Sequence, residues 1–121
     1  MAANDSTWQM VTVKPWILLV LLAACDQGRV ATDTDAPQVF HQLCATCHGP
    51  KGKPTESMVA RLNVRDLTAP ELRARITPAL VEHQIRHGSE NKLMPSFEHA
   101  MSDEQIKALA AYVASPEFLQ Q

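Results

Sequence analysis

Cys44-Ala45-Thr46-Cys47-His48 is the stretch of this chain best equipped for chemistry. Two thiols three residues apart, followed at once by an imidazole, make a C-x-x-C-H pattern, the signature of covalent c-type haem attachment. The spacing has a physical reason. Near a helix end, side chains three and four residues apart share a face, so both sulfurs can reach one edge of a porphyrin while the imidazole turns beneath the iron. Other chemistries draw on the same residue types. A dithiol redox pair calls for a thioredoxin-like βαβ context, and no such alternation is legible here. A zinc centre needs a fourth ligand; His41 or His83 can be enlisted, but neither has the compact spacing of a zinc module. A fortuitous match in a purely structural setting is the remaining option, and the leader described below weighs against it.

A second axial ligand must come from elsewhere in the chain. Met94 is the leading candidate, in Leu93-Met94-Pro95-Ser96-Phe97. The following proline stiffens the loop, and a thioether raises the iron potential relative to a second imidazole. Met58 and Met101, and His41, His83, His87 and His99, are the other possibilities. Methionines often serve only as core fillers.

The start of the chain reads as a targeting segment. Lys14 precedes an apolar run from Trp16 to Ala24 that is under half the ~20 residues a membrane span requires. Leu22-Ala23-Ala24-Cys25 resembles the lipobox of bacterial lipoproteins, in which the cysteine is lipidated and becomes the mature amino terminus. The expected organisation is a signal peptide over 1–24 and a polar tether over 25–35 carrying lipidated Cys25. A single domain over 36–118 follows. Ordinary cleavage near Ala24, with Cys25 a spare thiol, is the alternative.

The elements that must position the motif read as helical. Asp35 ahead of Ala36-Pro37, with Gln38 as reciprocal partner, predicts a helix presenting Val39, Phe40 and Leu43 and delivering the chain to Cys44. Thr68-Ala69-Pro70-Glu71 and Thr77-Pro78 repeat the cap-and-proline pattern. The second of these helices runs to about His87, with Leu80, Val81 and Ile85 as apolar contacts and Gly88 as its stop. Ser102-Asp103-Glu104-Gln105 predicts a capping box for a last helix striped by Ile106, Leu109, Ala110 and Val113. Pro116 ends it or begins a short extension. Four helices result, with Gly49 to Leu67 mostly irregular apart from a short turn near Glu56 to Leu62.

Composition sets the outer bounds. The 121 residues suit one small domain, and 11 basic against 13 acidic side chains give a net charge of −2. No basic stripe is present to grip a nucleic-acid backbone. Aromatic residues make up 5% of the chain, and both tryptophans fall in the leader. So little bulky material calls for outside help in building a core, which a large flat apolar cofactor would give.

These features together resemble the class I bacterial cytochromes c, especially the short c6- and c551/c552-like mono-haem domains. The resemblance covers about Ala36 to Val113. It rests on Cys44-x-x-Cys47-His48-Gly49, on Ile85-Arg86-His87-Gly88 ahead of Met94-Pro95-Ser96-Phe97, and on Ile106-x-x-Leu109-Ala110-x-Tyr112-Val113. It implies an all-α fold with first and last helices crossing near one haem c. Cys44 and Cys47 would be its thioether anchors, and His48 and Met94 the iron's axial ligands. Ala36 stands where the family often has glycine, which implies a wider or shifted crossing. The implied activity is electron transfer rather than bond-making catalysis, on the extracytoplasmic side of a bacterial membrane. Expected partners are a redox protein or membrane respiratory complex, met at a haem edge that Lys51, Lys53 and Lys92 could ring. A wiring subunit fixed in a larger complex is a second expectation. A haem sensor or enzyme with a displaceable sixth ligand is a third.

Overall fold

Helix signals in the sequence become helices at almost every site where a cap and an early proline coincide. A computed structural model describes residues 35–121, so the leader, Cys25 and most of the tether lie outside the described residues. Among the described residues there are six α-helical segments, one 3₁₀ turn and no strand. They are α1 (Ala36–Leu43), α2 (Ala45–His48), α3 (Glu56–Leu62), α4 (Pro70–Arg73), α5 (Pro78–His87) and α6 (Asp103–Ala114), with the 3₁₀ turn over Pro116–Gln120. The four expected helices are therefore joined by α3, foreseen as a short turn, and by α2, which carries the C-x-x-C-H motif.

The caps explain the boundaries. Asp35 accepts the Gln38 N–H at 3.4 Å, Thr77 accepts that of Leu80 at 3.2 Å, and Ser102 and Gln105 form a full reciprocal box. Thr68 behaves differently from expectation. Its hydroxyl and backbone N–H both donate to Asp66 Oδ1, at 2.6 and 2.8 Å, so the pair closes a turn before α4 and Ala69 becomes the cap residue. Asp66 competes for Thr68 at closer range than the α4 backbone does.

The core lies where α1 and α5 pack against α6. Val39 and Phe40 of α1, Ile85 of α5, and Ile106, Leu109, Ala110 and Val113 of α6 form one buried cluster with Met101 and Phe118. Phe118 is fully buried and makes edge-to-face contacts with Phe40 (centroids 5.0 Å apart) and Tyr112 (5.4 Å). A β-carbon on Gly52 would stand 2.5 Å from the Phe118 ring, so the loop after the motif can lie against this aromatic only because it has no side chain there. Ala36 is buried at the head of α1. Leu80, expected as an apolar contact of α5, is 57% exposed and lines the cavity.

Arg73 ties the short α4 to the end of the last helix. Its guanidinium donates to the carbonyls of Val113 (2.7 Å), Ala114 (3.2 Å) and Ser115 (2.8 Å) and sits 5.9 Å from the centre of the Phe118 ring. Carbonyls at a helix C-terminus have no partner within the helix, and a cation there also meets the negative end of the helix dipole. Replacing Arg73→Ala should lower the stability of the folded protein by about 2 kcal/mol, since charge-assisted bonds to part-buried acceptors are lost together. Guanidinium unfolding followed by far-UV circular dichroism measures this; an unchanged midpoint would refute it.

Candidate functional site

Leu43, the last residue of α1, hands the chain to Cys44, whose N–H still bonds the Phe40 carbonyl at 2.8 Å. The helix resumes directly: the His48 N–H donates to the Cys44 carbonyl at 2.9 Å, and α2 ends where Gly49 adopts a φ of 78°. Cys44, Cys47 and His48 thus occupy positions i, i+3 and i+4 of a helical turn and share one face. All three line a cavity of about 510 Å³. Met94, Pro95 and Phe97 line the same cavity, with Leu67, Ile76 and Leu109 among its apolar walls. A volume of this order is that of a cofactor pocket.

The imidazole of His48 is held by the backbone. Its Nδ1 lies 3.2 Å from the carbonyl oxygen of Arg65. A carbonyl only accepts, so the proton sits on Nδ1 and Nε2 keeps its lone pair. Arg65 is brought there because the loop folds back on itself, with the Leu67 N–H bonded to the Gly52 carbonyl at 2.8 Å. Burial lowers the His48 pKa from its usual value, only partly offset by the bond to Arg65, which favours the neutral, ligand-competent ring. The two cysteines are not joined to each other. Burial, and secondarily the neighbouring Cys47, push the Cys44 thiol up to about 11. Reactive dithiol motifs lower a cysteine's pKa instead, so this environment disfavours exchange chemistry.

Met94 is presented by a loop laced to itself. Its N–H donates to Ser89 Oγ at 2.9 Å, while the Ser89 N–H returns to the Met94 carbonyl at 3.0 Å. Ser89 Oγ donates to Asn91 Oδ1 at 2.6 Å, and that oxygen also accepts the Leu93 N–H at 3.1 Å. On the far side, the Phe97 N–H bonds the Ile85 carbonyl at 3.0 Å and the Ser96 hydroxyl donates to the Arg86 carbonyl. Both ends of the loop are therefore fastened to α5.

Of the alternative ligands, Met101 is buried in the core and Met58 lies on α3 away from the cavity lining. His41, His87 and His99 are exposed and line no part of the cavity, whereas His83 is exposed at its edge. Lys51, Lys53 and Lys92 are all exposed. The motif reading did not find the Arg65 carbonyl, the Ser89–Asn91 lacing, or the Arg65 and Arg75 side chains in the lining. Only the Ser-x-Asn turn signal at 89–91 was available in the sequence.

A domain with no strand among the described residues, which sets a C-x-x-C-H turn and a hydrogen-bonded methionine loop on the walls of one cofactor-sized cavity, has the make-up of a c-type cytochrome domain. Residues 31–113 match the family model described as cytochrome c oxidase, cbb3-type, subunit III, and the chain belongs to that family. It is a mono-haem cytochrome c, which implies covalently bound haem c and haem-based electron transfer. The donor set fits that group: two thiols on one face, a neutral imidazole with a free Nε2, and apolar walls. Comparison with curated proteins gave no match.

Gly88 governs how α5 passes into the methionine loop. Its φ is 72°, and a β-carbon there would meet the Met94 carbonyl, Pro95 C at 2.8 Å and Ser96 N at 2.9 Å. Gly88→Ala should therefore strain the loop, costing on the order of 2 kcal/mol. A thermal melt should show a lowered midpoint of several degrees; an alanine variant as stable as the wild type would contradict the loop geometry.

Proposed function

We propose that this protein is a single-electron carrier in which Cys44 and Cys47 are the thioether anchors of one haem c and His48 and Met94 the axial ligands of its iron. The observation that carries this reading is the convergence of all four side chains on one cavity. When bound, haem supplies an iron that alternates between Fe(III) and Fe(II). The protein's part is positional. The Arg65 carbonyl fixes the tautomer and plane of His48, and the Ser89–Met94 lacing keeps the thioether in place. Leu67, Ile76 and Leu109 give the cavity apolar walls. With both ligands held, neither has to move as the electron comes and goes, which supports a carrier over an enzyme or sensor with an open position.

Its place is a respiratory or photosynthetic redox chain on the extracytoplasmic side of a bacterial membrane, tethered through lipidated Cys25. The folded part spans 36–118. Support for the location is the lipobox-like Leu22-Ala23-Ala24-Cys25. A second reading, a wiring subunit fixed within a membrane oxidase, is favoured by the description of the matched family. Purification from membranes without exogenous partners separates the two: a stoichiometric oxidase complex supports the subunit, a free lipoprotein the carrier.

Replacing Met94→His should keep the haem attached, abolish the far-red sulfur-to-iron band of the oxidised protein, and lower the midpoint potential. A drop on the order of 0.2 V is expected, part of the ~0.8 V range that axial ligation spans. Persistence of the band would remove Met94 from the ligand set. For the anchor, Cys25→Ser should eliminate the diacylglyceryl mass from the mature protein and release it into the soluble fraction, because each buried CH₂ contributes about 0.8 kcal/mol. A wild-type mass without lipid would end the tether proposal.

A further inference from the structure

α5 carries a second pair of potential ligands that the haem site does not use. His83 and His87 stand one helical turn apart, both exposed, with their rings stacked at a centroid separation of 4.2 Å and an interplanar angle of 30°. Their orientation is partly fixed. His87 Nδ1 lies 2.8 Å from the His83 carbonyl oxygen, which can only accept, so the proton resides on Nδ1 and the Nε2 lone pair is free. This is the device that prepares His48. The ring nitrogens of His83 have no hydrogen-bond partner among the described residues.

Charge nearby does not oppose a cation. Arg86, the cationic neighbour on α5, is bound by Glu82 at 2.9 Å and Asp103 at 2.8 Å, so its guanidinium is held against two carboxylates. Bonds from a late first-row metal to imidazole are about 2.0–2.1 Å long, so one ion can join two ring nitrogens up to ~4 Å apart. The ring centroids stand 4.2 Å apart with the planes 30° from parallel, so rotation about the exposed side-chain bonds turns an in-plane lone pair of each ring toward one ion, and histidines at i and i+4 on a helix are a recurrent chelating pair.

We propose that His83 and His87 form a surface site for one divalent late-transition-metal ion, with water completing its coordination shell. Among the described residues no group of three or more histidine, cysteine, aspartate or glutamate side chains gathers here or elsewhere. The site is therefore a two-point one, of micromolar rather than structural affinity. Imidazole ligands select Cu²⁺, Ni²⁺ and Zn²⁺, and Cu²⁺ binds most tightly of the three. Because α5 ends at Gly88 and leads directly into the Met94 loop, an ion bridging its last two turns also clamps the helix from which that loop hangs.

Calorimetric titration of the oxidised, haem-loaded protein with Cu²⁺, Ni²⁺ and Zn²⁺ separately tests the site. The expected result is one ion per chain, Cu²⁺ tightest, with His83→Asn and His87→Asn each weakening binding by roughly tenfold or more. His41→Asn, at another exposed histidine, should leave the titration unchanged. An unaltered haem spectrum in His87→Asn, whose residue lines no part of the haem cavity, separates loss of the site from damage to the fold. In thermal melts Ni²⁺ should raise the midpoint of the wild type and leave that of the double variant where it was. The absence of saturable binding to the wild type, or binding that survives both substitutions, would overturn the proposal.

Discussion

An apolar cavity of about 510 Å³ in a domain of fewer than ninety described residues is the constraint on which the rest of this structure depends. Leu67, Ile76, Val81, Met94 and Phe97 are only partly buried against the core cluster, and each has its remaining apolar surface on the cavity. A typical domain is stable by only about 5–15 kcal/mol, so apolar walls on this scale left facing water weigh heavily against folding, and a bound haem would bury them.

The protein's own packing supplies what the cofactor cannot, a frame on one side of the cavity. Phe118 is the centre of that frame: Phe40 meets it from α1, Tyr112 from α6, and the Arg73 guanidinium approaches its ring. Gly52 brings the loop after the motif against the same ring, and that loop returns to place the Arg65 carbonyl on His48. The orientation of the His48 ring is therefore coupled to a loop that packs against the buried Phe118 ring. α5 does the corresponding work for Met94. Its Ile85 joins the core while the carbonyls of Ile85 and Arg86 hold the far end of the methionine loop.

Much of this was legible in the sequence where the cause is local. Ser102 and Gln105, Thr77, and Asp35 ahead of Pro37 mark helix starts because capping is decided within four residues. The spacing of Cys44, Cys47 and His48 likewise fixes their common face once a helix is granted. What escaped detection is non-local. Nothing in Asn63-Val64-Arg65-Asp66 signals that a carbonyl there will meet His48, because that bond is set by the Gly52–Leu67 closure. Thr68 was misread as a cap because Asp66, two residues earlier, captures both of its donors. Periodicity marks Leu80 as an apolar contact of α5 without showing what it contacts; here it borders the cavity.

The same local device appears twice with opposite consequences. His48 and His87 each have Nδ1 close to a backbone carbonyl, and each is left with a free Nε2. His48 stands in a wall with Cys47 next to it, Cys44 one turn away and apolar residues nearby, and its burial favours a neutral ring. His87 stands in solvent, stacked on a second imidazole. A C=O···H–Nδ1 bond prepares a ligand but does not choose its metal. The surroundings do: neighbouring thiols and apolar walls would suit a porphyrin iron, whereas an exposed imidazole pair would suit a hydrated ion that exchanges with bulk water.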